Sequence, residues 1–65
     1  LKSGEKEEMR RLLERVLRYE LEAAAMYDSI IAGLKNEKIK ERIAGIREAE
    51  VRHAELARKE LQRFQ

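Results

Sequence analysis

Apolar residues recur along this chain at helical spacing and in two blocks. Met9, Leu12, Leu13, Val16 and Leu17, then Ala23, Ala24, Tyr27, Ile30, Ile31 and Leu34, fall mostly three and four apart, which lines one side of an α-helix. Ser3 is a candidate N-cap, with Glu5, Glu7 and Glu8 behind it where the helix dipole favours negative charge. Gly33, Lys35 and Asn36 read as the end of this helix and the cap of the next. Beyond them Ile39, Ile43, Ile46, Glu50, His53, Ala57 and Phe64 form the seam of a second helix. The expected fold is all-α: one domain over residues 1–65, with a helix at about 4–34, a turn at about 34–36 and a helix at about 36–64. Gly45 falls inside the second helix, where a close helix–helix contact is expected.

Polar residues interrupt both stripes. Leu13, Glu20, Tyr27 and Leu34 stack in one column of the first helix, and Ile43, Glu50, Ala57 and Phe64 in one column of the second. His53 stands beside Glu50 in the column of Ile39 and Ile46, one turn away and on the same face. Folding the chain back about Lys35 brings Glu20 level with Glu50, each 15 residues from the turn and so roughly 22 Å above it. Two ionised carboxylates facing each other inside a helix interface cost several kcal/mol unless a cation compensates them. No Lys or Arg falls on the seam, Arg47 and Arg52 being flanking, so a metal ion is the strongest remaining candidate.

A two-fold axis through that layer would superpose two copies of Glu20, Glu50 and His53. One Glu from each first helix and a Glu-x-x-His from each second is the ligand set of di-iron carboxylate bundles. Four carboxylates would balance two divalent ions while both histidines stay neutral. This oxygen-rich set suits iron or manganese better than structural zinc. The expected assembly is a homodimer that closes a four-helix bundle around two iron ions, with Mn or Zn as substitutes.

Composition narrows the alternatives. With 65 residues and no cysteine, the chain has neither the length for a self-sufficient core nor a disulfide to staple one, which leaves a partner, a metal or both. Charged residues make up 43 % of the chain, yet 15 basic against 13 acidic residues leave a net charge of only +2. The signs are interleaved, so no nucleic-acid-binding stripe is expected. No membrane span or signal peptide is legible either, and a soluble, cytoplasmic protein is the default expectation.

The stretches Tyr19-Glu20-Leu21-Glu22-Ala23-Ala24-Ala25-Met26-Tyr27-Asp28 and Glu48-Ala49-Glu50-Val51-Arg52-His53-Ala54-Glu55 resemble the two metal-binding helices of rubrerythrin-like and encapsulated ferritins. The resemblance runs from about Leu13 to Leu61. Carrying only one helix pair, the chain looks most like the encapsulated ferritins. That resemblance implies a ferroxidase: a di-iron site shared across a dimer, a ring of higher order, and iron delivered for storage inside an encapsulin shell. It also implies that Glu20, Glu50 and His53 are the catalytic metal ligands, with Tyr27 as their neighbour. Glu22, which points away from the seam, is a candidate position where iron enters. The family's shell-docking peptide has no counterpart in these residues, so the encapsulin partner rests on resemblance alone. A different class of function stays open beside this one, a non-catalytic four-helix assembly module, natural or designed, with Glu20, Glu50 and His53 as a polar or metal-binding layer.

Overall fold

The structure, a computed structural model, describes residues 2–65. Two helices make up the fold: α1 (Ser3–Gly33) and α2 (Glu37–Gln62). They form an antiparallel hairpin whose principal extents are 51 × 14 × 12 Å. Helix α2 begins as its sequence anticipates, with the Asn36 side chain accepting from the Ile39 amide at 3.1 Å and satisfying one of the orphan donors of the first turn. The start of α1 differs. Ser3 is the first helical residue rather than the cap, and Lys2 holds the cap position without a side-chain hydrogen bond. Gly33 ends α1 with no positive φ, and the amide of Leu34, which is extended, bonds back to the Ile31 carbonyl at 3.2 Å.

The packed row of each helix alternates steps of three and four. On α1 it runs through Arg10, Leu13, Leu17, Glu20, Ala24, Tyr27, Ile31 and Leu34, and on α2 through Lys40, Ile43, Arg47, Glu50, Ala54, Ala57, Leu61 and Phe64. Among the described residues only Ala24, Ala54, Ala57 and Leu61 are buried. The contact between the helices is therefore thin, and three of its four buried residues are alanines, which let the backbones approach but bury little area.

That row differs from the one expected for α2. Ile39, Ile46 and His53 do not face α1; they lie on a neighbouring row, with Ile39 and Ile46 about two-fifths exposed. The basic residues also sit differently. Arg47 occupies the packed row rather than flanking it, and its Nε donates across the hairpin to Asp28 at 2.9 Å. Arg10, also in the packed row of α1, donates to Glu7 and, at 2.9 Å, to Glu14. The expected close contact at Gly45 is absent within the chain: Gly45 is exposed, and a Cβ there would meet nothing within 4 Å.

A second apolar row runs along α1 beside the packed one. Met9, Leu12, Val16, Tyr19, Met26 and Ile30 repeat the three–four alternation, and all are 40 % exposed or more. Its counterpart on α2 contains Ile39, Ile46 and Leu56. Each row lies one residue N-terminal to its packed row, a turn of about 100° around the helix. Because the helices run in opposite directions, the same offset turns both rows to one side of the hairpin. The cross-helix contacts agree: His53, on the second row of α2, reaches Glu20, whereas Arg47 and Asp28 meet on the other side.

The protein exposes 5253 Å² in total, against the roughly 4300 Å² of a compact monomer of its mass. The excess of roughly 900 Å² follows from the elongated shape and the thin contact between the helices.

Two substitutions check the local account. Gly45→Ala is expected to stabilise the chain by about 0.5–1 kcal/mol, because the site is helical, open and free of left-handed backbone. Asn36→Ala is expected to cost about 1 kcal/mol through the lost cap. Thermal unfolding followed by circular dichroism reads both signs.

Candidate metal centre

The helices carry Glu20, Glu50 and His53 to one level near the middle of the hairpin. Glu20 and Glu50 both belong to packed rows, and both lie on the edge of their row nearest the open apolar side. His53, one turn beyond Glu50, stands on that open side. One ligand atom from each residue lies within 4.8 Å of the others, and His53 Nδ1 is 3.7 Å from Glu20 Oε2. Donors about 2.1 Å from a common ion in tetrahedral geometry lie roughly 3.4 Å apart. Closing the set thus asks the donor atoms to draw together by up to roughly 1.4 Å through side-chain rotation.

Burial is graded across the three. The Glu20 side chain is 23 % exposed and that of His53 57 % exposed, with Glu50 between buried and exposed. The carboxylates expected to be buried are therefore half-buried in the single hairpin, and their cost is smaller than in a closed interface. It has not vanished. The Glu50 carboxyl is held above the ordinary carboxylate range, first by its hydrogen bond with Glu20, then by burial and by the Glu20 charge, with His53 pulling the other way. Among the described residues no Lys or Arg nitrogen comes within 4.0 Å of either carboxylate, since Arg47 is engaged by Asp28 at 2.9 Å and Glu48 at 3.1 Å. The cross-helix pair of Arg47 and Asp28 was not anticipated. Its signal is present in the sequence as a basic residue in register with the packed row of α2 and an acidic one opposite it on α1.

The remaining candidates are placed less closely. Tyr27 lies half-buried in the packed row, two turns along α1 from Glu20, and makes no side-chain hydrogen bond among the described residues. Glu22 is exposed on the outer side of α1. Among the described residues the single hairpin encloses no pocket, so the cluster is open to solvent. Among the described residues no helix is long and apolar enough to cross a membrane. Protein-family models, curated proteins and solved structures give no match to this chain.

Two acids pressed together make the metal-free fold pH-sensitive. A carboxyl whose folded-state pKa is raised favours folding below the carboxylate range, and that contribution is lost as the pH rises through its folded pKa. In chelator-treated buffer, Glu50→Gln is therefore expected to melt at a higher temperature than the parent chain at pH 7. The difference should close as the pH falls to 4 and below, which melting curves across that range will test.

Proposed function

We propose that this chain is a metal-binding half-bundle: a helical hairpin that binds divalent metal through Glu20, Glu50 and His53 and closes a four-helix bundle with a second copy of itself. One observation carries this reading. The three donors converge on the side of the hairpin where the apolar rows are left without a partner. A second copy docked there would cover both features together. Each copy would supply two carboxylates and one imidazole, and four carboxylates would offset two divalent ions. Neutral His53 would then be a donor rather than a like-charged neighbour. The thiolate-free donor set favours iron or manganese over a structural zinc site.

The protein's own residues divide the work. Glu20 and Glu50 hold the charge, and their mutual repulsion in the metal-free chain leaves an anionic site ready for a cation. His53 supplies directional nitrogen from one turn away and, being the most exposed of the three, is the donor that a docking partner would order. The second apolar rows exclude water from the layer once covered.

Iron oxidation is a narrower reading of the same site, supported by the oxygen-rich donor set and the two motifs that resemble encapsulated ferritins. In it Fe(II) is the substrate, and each ion loses one electron to dioxygen or peroxide. The carboxylates hold the product more tightly because its charge is higher. Membership of a ring and delivery into an encapsulin shell extend that reading.

Anaerobic titration with Fe(II), with mass followed by sedimentation, tests the proposal. The expected outcome is a dimer at about one iron per chain, and admission of oxygen then separates metal binding alone from ferroxidase activity by the rise of Fe(III) absorbance. Glu20→Ala and His53→Ala are each expected to weaken metal affinity by 10-fold or more. Assembly by both variants at the parent's metal concentration would sink the site assignment.

A further inference from the structure

The assembly proposed above leaves the orientation of the second copy unstated, and the open side of the hairpin carries enough pattern to fix it. In an antiparallel pair of helices, alternate positions of one row meet alternate positions of the other. If α1 packs on the partner's α1, Val16 meets Met26 of the partner subunit and Leu12 meets Ile30 of the partner subunit. The midpoint of each pair is Leu21, adjacent to Glu20. If α2 packs on the partner's α2, Ile46 meets Leu56 of the partner subunit, with its midpoint at Val51, adjacent to Glu50. By the register that sets Glu20 level with Glu50, the two midpoints lie within two residues, roughly 3 Å, of one level and bracket the donor layer. One two-fold axis perpendicular to the helices therefore serves both pairs of rows and superposes the two half-sites.

In that register the next layer outward is not apolar. It sets Arg42 opposite Glu60 of the partner subunit, and symmetry repeats the pair at the other end. Both residues are exposed. Among the described residues Arg42 has no ion pair, and Glu60 has only a 3.6 Å contact with Arg63, the C-cap of its own helix, whose side chain is 74 % exposed. We propose that Arg42 and Glu60 form a reciprocal clasp between two copies, fixing their antiparallel orientation and their register. The inference rests on the half-bundle reading.

The alternatives lose this match. A slip of one heptad separates the two donor layers by roughly 10 Å and in one direction sets Arg42 against the partner's His53. Turning the axis parallel to the helices packs α1 on the partner's α2. Arg42 then faces the partner's Ile30, and Glu60 faces the partner's Leu12. Opposite charges facing each other, where the other arrangements set Arg42 against an imidazole or apolar surface, are the device by which helical assemblies select partners.

Charge exchange between two variants tests the clasp. Arg42→Glu and Glu60→Arg each turn both pairs from attraction to repulsion, and each is expected to dimerise on the order of 10-fold more weakly than the parent in anaerobic Fe(II). Mixed in equal amounts, the two variants regain opposite charges at both pairs, so the mixture is expected to dimerise near the parental level. Within one chain these residues stand roughly 27 Å apart on a single helix, so rescue cannot arise inside a hairpin. Unchanged helicity by circular dichroism establishes that each variant folds. If the parent dimerises with metal but the mixture is no better than its components, the clasp is wrong while the half-bundle stands. If the parent fails to dimerise with metal, both readings fall.

Discussion

Two carboxylates held against each other on a hairpin with almost no core of its own form the constraint to which the other features answer. Glu20 and Glu50 meet because the turn sets their helices in register. Hydrogen bonding and burial then raise the Glu50 carboxyl. The fold offers little with which to absorb the strain, its buried residues being three alanines and one leucine. Arg47 lies within one turn of Glu50 but is committed to Asp28 and Glu48. Within the chain only the His53 imidazole offers relief at the layer, and the clustered donors are an arrangement that could hold a metal ion.

Which features the sequence disclosed follows from what fixes each of them. The level of Glu20 with Glu50 was legible because a short turn between two long helices leaves one register, and the position of His53 then follows from helical geometry. The rotation of the helices was not legible. Apolar residues fill both the packed row and the row beside it, making an arc wider than one partner can cover. Periodicity locates such an arc but cannot say which part of it faces the chain's own second helix. Ile39, Ile46 and His53 were thus read as the hairpin seam although they face outward.

Smaller differences have the same character. Ser3 carries the chemistry of a cap, but the helix begins one residue before a cap there would allow. Gly45 reads as a contact glycine, yet nothing in the chain approaches it. Arg47 reads as flanking the α2 seam yet occupies the packed row, where a buried guanidinium would be costly. The long side chain avoids that cost by carrying its charge across the helix boundary to Asp28, as amphipathic side chains do when their stems pack and their heads reach water.

The outward turn of the α2 row also changes what the donor cluster is. A site buried between α1 and α2 would be complete, rigid and costly without its ion. The cluster instead straddles the boundary between the packed row, which supplies Glu20 and Glu50, and the open row, which supplies His53. Its geometry is set by the interface between the two helices, and in the proposed assembly its completion would depend on a second one. In the proposed assembly, metal binding and docking would each complete what the other needs: the ion removes the repulsion at the centre of the docking face, and docking desolvates the donors around the ion. Linkage requires such coupling to be reciprocal. A chain with so small a core would thereby obtain from a shared ion the stability that larger domains obtain from burial, as small metal-dependent domains do in general.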